Sequence, residues 1–224
     1  MKMSVCRFTG GRWKANCYLI TSTTGESLII DPGAGAAELV ERVRTEGLRV
    51  LGILCTHGHF DHVEAGAFVQ EQVQAPLLLH SLDSRLLRSA SLYRRLFEGK
   101  GLVPTPVIDR FLDEAAQPLQ LGPFSTYVWH TPGHTQGSVS FGIESGLFTG
   151  DTLFRGKVGR TDLPGGDSQA LAVSLELLAQ MPGDLQVFPG HGDRTTIEAE
   201  VASNPRLKSL RDAVIEAAYS GGTT

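Results

Sequence analysis

The chain has 224 residues, with 20 Lys and Arg against 24 Asp and Glu, a net charge of -4, and 41% hydrophobic residues. A compact chain of this size buries roughly 70% of its unfolded surface, so neither disulfides nor a structural metal is needed simply to fold, and the slightly acidic balance offers no basic footprint for nucleic acid. No apolar stretch approaches the roughly 20 residues of a membrane helix, residues 1–14 lack the apolar region of a secretory signal, and Cys6, Cys17 and Cys55 include no CxxC pair. These features predict a cytoplasmic protein with free thiols, no nucleic-acid partner and no membrane partner; they leave the oligomeric state open.

Along the chain, residues 17–20 and 27–30 read as two strands of a hairpin turning at Gly25. Asp31-Pro32-Gly33 breaks the second strand. Residues 36–46 place Leu39, Val40 and Val43 on one helical face ahead of Gly47, a natural helix stop. Residues 50–55 form a short apolar run, expected as a strand buried on both faces. A helix over 63–73 and a buried strand over 75–80 follow, and then Leu82, Leu86, Ala90, Tyr93 and Phe97 recur at helical spacing as an apolar stripe. Gly and Pro interrupt residues 98–106. Strands are expected over 126–131, 138–143 and 147–149, joined by turns at Pro132-Gly133 and Ser145-Gly146. A helix over 168–180, a last strand over 185–188 and two helical segments flanking Asn204-Pro205 complete the pattern. With no linker, low-complexity segment or repeat, residues 1–219 read as one domain and 220–224 as a frayed tail.

The chemistry is concentrated in Thr56-His57-Gly58-His59-Phe60-Asp61-His62, which leaves a predicted strand and enters a predicted helix. In an extended segment residues two apart point the same way, so His57 and His59 can grip one ion while Asp61 and His62, past the bend, turn toward a second. A lone His in such a loop is ordinarily just solvated or hydrogen-bonded. Three imidazoles and a carboxylate within six positions are different, because packed together they leave unsatisfied polar groups unless a cation draws in their lone pairs. His134, Asp151 and His191 each follow another predicted strand, in Thr131-Pro132-Gly133-His134-Thr135, Thr149-Gly150-Asp151 and Phe188-Pro189-Gly190-His191-Gly192. Loops beyond strand ends are where a sheet can fix catalytic groups in place.

These motifs, together with Asn16-Cys17-Tyr18-Leu19 and Ile30-Asp31-Pro32-Gly33, resemble nearly end to end the metallo-β-lactamase-fold hydrolase superfamily, and within it the glyoxalase II-like branch of hydroxyacylglutathione hydrolases. The resemblance implies an α/β fold, the αββα four-layer sandwich. It also implies a binuclear site with His57, His59 and His134 on one metal, Asp61, His62 and His191 on the other, and Asp151 bridging. The ligand types suit two divalent ions, zinc foremost, with iron or manganese also accommodated. Implied too is the hydrolysis of a small thioester such as S-D-lactoylglutathione by a metal-bridging hydroxide, with Asp61 orienting the nucleophile and Asp151 holding the metals. Asp31 resembles the family aspartate that hydrogen-bonds around the ligands. Cys55 reads as a strand residue rather than a nucleophile, and His80 and His130 as ordinary strand histidines outside the metal set.

Residues 154–162, rich in Arg and Lys, resemble the segment after the bridging aspartate in small glyoxalase II-like hydrolases and persulfide dioxygenases, which makes Arg160 and Lys157 the candidate substrate-binding cations. For Arg160 a surface ion pair with Asp162 or Asp167 is the plainer alternative. Full glyoxalase II enzymes carry a C-terminal helical domain with much of the glutathione surface, and this sequence stops soon after Pro205, so the carrier thiol is left open. The basic segment 82–106 reads as a solvated helix face or as a cap over the site. True β-lactamases share HxHxDH in one subclass but lack the aspartate matched by Asp151, and flavodiiron proteins carry Glu where His59 stands. Two enzyme alternatives stay in play: an acyl-homoserine lactonase, and a persulfide dioxygenase holding one iron through His57, His134 and Asp151. The Pro189-Gly190-His191-Gly192 segment looks like the hydrolases, and a non-catalytic binding module conflicts with seven filled ligand positions.

Overall fold

The strands carry apolar residues on both faces, and period-two alternation sends them to different layers. In the computed structural model, which describes residues 3–113, 117–144 and 146–208, Cys17 and Leu19 of one strand join one core cluster while Tyr18 and Ile20 join another. The first sheet runs in sequence order: β1 (Ser4–Gly10), β2 (Ala15–Thr21), β3 (Glu26–Ile30), β4 (Arg49–Leu54), β5 (Leu77–Leu79) and β6 (Arg110–Phe111). β1 to β3 pair antiparallel and β3 to β6 parallel. The second sheet is built from β7 (Leu119–Leu121), β8 (Phe124–His130), β9 (Val139–Ile143) and β10 (Gly146–Gly150). A small hairpin of β11 (Leu153–Phe154) and β12 (Lys157–Val158) follows, and β13 (Gln186–Pro189) and β14 (Thr195–Thr196) return to that sheet in the order β14-β13-β10-β9-β8-β7.

Helices α1 (Ala36–Thr45), α2 (Phe60–Val63), α3 (Gly66–Val73) and α4 (Ser84–Glu98) cover the outer face of the first sheet. Helices α5 (Ser168–Ala179) and α6 (Ile197–Ser203) cover the second, where Leu171, Leu175 and Leu178 meet Leu147 and Val187. Between the sheets lie Ile20, Leu28, Ile30, Leu54, Leu78, Phe124, Phe141 and Phe148. The four layers α, β, β, α are therefore the expected ones.

Three readings are refined. Residues 63–73 are not one helix: the chain breaks at Glu64-Ala65 between α2 and α3, so the turn that carries Asp61 and His62 is separate from the packing helix behind it. β1 was not read from the sequence because only one of its seven residues is fully buried, the pattern of an exposed edge strand. Of the apolar stripe over 82–97 only Ala90 is fully buried, joined by Leu87 from outside the stripe, while Leu82 and Phe97 are exposed. The Ser145 position of the expected turn, the end of the second closing helical segment and the tail 220–224 lie outside the described residues. Cys6, Cys17 and Cys55 are free thiols, and burial foremost pushes Cys17 and Cys55 above the ordinary thiol range, which keeps them protonated. Among the described residues no helix is long and apolar enough to cross a membrane.

Phe141 is fully buried between the sheets. Phe141→Ala is expected to cost about 3–5 kcal/mol, read as a lower urea midpoint. A change no larger than that of a surface substitution would show that this layer does not hold the sheets together.

Candidate metal centre

The direction of the strands decides where the polar groups collect. β3 and β4 run parallel, and their ends deliver Asp31 and the loop 55–59 to one edge of the first sheet. In the second sheet β9 is antiparallel to both β8 and β10, and β13 is parallel to β10, so β8, β10 and β13 end at one edge and deliver His134, Asp151 and His191. All seven predicted ligand positions meet there. His57, His59 and His134 each offer a donor atom within 4.8 Å of the others, and Asp61, His62 and His191 form a second such group. Asp151 stands between the groups: Oδ2 is 3.4 Å from His134 Nε2 and 3.4 Å from His191 Nε2, and Oδ1 is 3.3 Å from His62 Nε2.

The outer nitrogen of four imidazoles is already committed. His134 Nδ1 donates to the Arg160 carbonyl at 2.8 Å and His191 Nδ1 to the Trp13 carbonyl at 3.0 Å. His62 Nδ1 donates to Asp31 Oδ2 at 3.1 Å. Thr56 Oγ1 gives its proton to Asp31 Oδ2 at 2.6 Å and therefore accepts from His57 Nδ1 at 3.0 Å. With Nδ1 so engaged in each, four Nε2 atoms point inward, and His59 adds Nδ1, which faces His134 Nε2 at 2.8 Å. His62 Nε2 and His191 Nε2 stand 3.2 Å apart.

Lone pairs at such distances repel unless a proton or a cation lies between them. Among the described residues, buried His57 Nε2 and Asp151 Oδ1 have no hydrogen-bond partner. The neighbouring Gly190 leaves no room for a Cβ, which would strike Asp151 Oδ1 and the His62 ring. Orphaned, inward-facing nitrogen and carboxylate atoms in two clusters joined by one aspartate fit a pair of divalent ions. Asp31 also lies within reach of His57 and His62, but both its oxygens are occupied, Oδ1 by the Thr56 N–H at 2.7 Å and Oδ2 by Thr56 Oγ1 and His62. Its geometry is that of a group oriented toward the ligands it bonds rather than toward an ion.

The charges divide along the same line. Burial, with neighbouring imidazoles adding to it, holds His57 well below its ordinary range and His59 down to about 4. Burial also opposes charge on His62 and His191, but Asp151 and Asp61 outweigh it, lifting His62 well above its ordinary range and His191 to about 9. Burial would raise both carboxylates, yet His62 and His191 hold Asp151 well below and Asp61 below the usual range.

Several supporting residues gave no role from sequence. Asn16 Nδ2 donates to the Pro189 and Gly192 carbonyls, both at 2.9 Å, and its N–H to the Gly190 carbonyl at 2.7 Å, while the Tyr18 hydroxyl donates to Pro189 at 2.6 Å. The β1–β2 hairpin thus clamps the His191 loop. Buried Asp83 accepts from the Gly58 N–H, the Thr135 hydroxyl and the Gly137 N–H, each at 2.8 Å, tying the His57–His59 loop to the His134 loop. Of the expected substrate cations, Arg160 is held by Asp162 through two bonds of 2.6 and 2.7 Å. Lys157 lines the cleft and, with Arg155, makes no ion pair among the described residues. His80 and His130 stack on each other at 4.4 Å, outside both donor groups.

Two outcomes follow. Because His62 and His191 bind protons in the metal-free site and ligation needs neutral imidazole, metal uptake near neutral pH is expected to release protons, and affinity is expected to weaken as pH falls. Calorimetry in buffers of different ionisation enthalpy measures this, and uptake without proton release contradicts it. Asp31→Asn, which keeps the shape but weakens the hold on His62, is expected to lower metal affinity by about 10–100-fold; wild-type affinity in a competition titration contradicts the role given to Asp31.

Comparisons with known proteins agree with this geometry. A family model described as the metallo-beta-lactamase superfamily matches residues 10–191. Hydroxyacylglutathione hydrolase GloC of Haemophilus influenzae is 35% identical over 202 residues, covering 88% of this chain and 94% of that protein. Among solved structures, BLEG-1 B3 metallo-beta-lactamase superposes with a TM-score of 0.85 at 35% identity, covering 91% of this chain and 99% of that one. TTHA1623 in a di-iron-bound form gives 0.80 at 40% identity, covering 89% and 98%. With the match spanning the donor loops from Asp31 to His191 and these relatives aligned over nearly their full lengths, the chain belongs to the metallo-beta-lactamase superfamily.

Proposed function

We propose that this protein is a glyoxalase II-like hydrolase that cleaves a small-molecule thioester of the S-D-lactoylglutathione type. The observation that carries the reading is the second donor group, Asp61, His62 and His191, beside the first: a pair of ions calls for both, whereas a one-iron dioxygenase calls for one triad. The similarity to GloC supports the thioester class.

When bound, a pair of divalent ions supplies the Lewis acidity that makes water nucleophilic at neutral pH and polarises the substrate carbonyl. His57, His59 and His134 would hold one ion, Asp61, His62 and His191 the other, and Asp151 both. Asp61, kept ionised by His62 and His191, offers a carboxylate oxygen to orient the attacking water and take up its proton. A C–O bond forms, the C–S bond breaks, and the carrier leaves as a thiolate, which needs little protonation because thiol pKa values lie near 8.5. Lys157 and Arg155 provide positive charge for an anionic carrier at the mouth. No serine or cysteine nucleophile enters.

The likeness to BLEG-1 favours a second reading, hydrolysis of a β-lactam amide by the same attack, although an amine is a poorer leaving group than a thiolate. Metal quantitation with a panel of lactoylglutathione, acyl-homoserine lactone, β-lactam and glutathione persulfide separates the readings. Close to two transition metals per chain, zinc foremost, and thioester cleavage are expected, with His59→Ala lowering kcat/KM by about a hundredfold or more, since even groups behind the ligands are worth 10–100-fold. One iron with oxygen uptake and no hydrolysis assigns the dioxygenase; turnover of the β-lactam alone assigns the lactamase.

A further inference from the structure

The apolar stripe of α4 is divided: Ala90 is buried in the core and Tyr93 packs against it, while the stripe also reaches the cleft. Leu86, Tyr93 and Phe97 line the same cleft of about 700 Å³ that His59, Asp61, His134, Asp151 and His191 open into. Tyr93 and Phe97 stack at 6.2 Å and 16°, Phe97 and Phe60 at 6.2 Å and 16°, and Phe60 meets Trp13 edge-on at 6.4 Å and 80°. The result is a continuous aromatic wall with both ends of its inner edge fixed at the centre: Phe60 directly follows His59, and the Trp13 carbonyl holds His191.

The Arg12 guanidinium lies over the Trp13 ring at 5.7 Å, and the rest of the wall is costly to leave bare. Trp13 is 44% and Phe97 46% exposed, and a contiguous aromatic surface beside a reactive centre marks a place where an apolar ligand is covered. A lactoyl group, three carbons with a hydroxyl, reaches little of it. The same cleft is also lined by Arg155 and Lys157, exposed and without ion pairs among the described residues, whereas Arg160 is engaged by Asp162. Apolar and cationic groups lining one cleft beside the donor groups call for a ligand with an apolar acyl end and an anionic thiol end.

Resting on the thioester-hydrolase reading, we infer that the preferred substrates are thioesters of bulky apolar acids, medium-chain alkanoyl or aryl-alkanoyl, with the acyl group on the Trp13–Phe60–Phe97–Tyr93 wall and the anionic carrier against Arg155 and Lys157. The cleft then selects by apolar burial, each methylene that reaches the wall strengthening binding by about fourfold.

The test uses thioethers, which have no bond to hydrolyse: S-methyl, S-butyl, S-hexyl and S-octyl derivatives of glutathione and of coenzyme A, titrated calorimetrically into zinc-loaded protein. Affinity is expected to rise by about fourfold per methylene up to hexyl in at least one carrier series. Trp13→Ala and Phe97→Ala are expected to flatten that gradient. Arg155→Ala with Lys157→Ala should weaken every member alike and leave the gradient intact. Leu92→Ala, on the exposed side of α4 and outside the cleft, should change neither. A flat series with both carriers overturns the inference, as does a gradient that survives both aromatic substitutions or is lost equally in Leu92→Ala. If the gradient holds but neither lactoyl nor hexanoyl thioesters are cleaved, the hydrolase reading fails while the apolar subsite stands.

Discussion

Four imidazoles in this protein have spent their Nδ1 protons on oxygen atoms, and that commitment aims four Nε2 atoms into one buried space. Asp61 and Asp151 offset part of the resulting repulsion by favouring protons on His62 and His191, and the surrounding strands hold the groups in place. The acceptors are of two kinds. Trp13 and Arg160 contribute backbone carbonyls, so these orientations depend on where the chain runs and not on side-chain identity. Asp31 contributes a carboxylate that serves two ligands at once, His62 directly and His57 through Thr56. Loss of that one carboxylate therefore disturbs both donor groups, whereas a change at Arg160 leaves its carbonyl in place.

Asp31 itself sits at φ 52°, the left-handed region that Asp tolerates better than most residues. The conformation turns the chain off β3 so that the carboxylate points across to Thr56 at the end of β4. The next close approach lies at Gly33, where any Cβ would collide with the Asp61 carbonyl. The Asp-Pro-Gly segment thus lets the β3 end and the α2 turn pack directly on one another. Asp83 does the matching work on the far side, joining the His57–His59 loop to the His134 loop across the gap between the sheets. A buried carboxylate with three donors is stable where a lone one is not.

What the sequence made legible was the part whose physics is local. HxHxDH places its ligands through the two-residue period of an extended segment and the bend into a helix, and the structure assorts His57 and His59 to one group and Asp61 and His62 to the other as that geometry requires. The layers were legible through the resemblance; in the structure β2, β3 and β5 alternate between two cores, and β4 changes phase at a register shift beside Leu51. Asn16 and Asp83 were not, since each acts on backbone atoms of segments remote in sequence, Asn16 on residues more than 170 positions away, and no spacing rule encodes such a contact. β1 escaped notice because an edge strand needs little burial, and Arg160 was ambiguous because an Arg two residues before an Asp serves equally as a clamp or as half of an ion pair; the structure engages it with Asp162.

The stripe on α4 shows a further limit of periodicity. Helical spacing of apolar residues says that one face of a helix avoids water but not what it avoids water with. On this helix the core takes Leu87 and Ala90, Tyr93 touches both core and cleft, and Leu86 and Phe97 lie a fraction of a turn around, toward the cleft. The two faces are adjacent, so a single amphipathic pattern covers both. Their chemistry separates them: the core side is aliphatic and small, fitting close packing against a sheet, while the cleft side is aromatic, giving wide flat surfaces that suit a replaceable guest better than a permanent neighbour. A ring face that stays half exposed beside a set of converging lone pairs is better explained by a ligand that comes and goes than by folding alone.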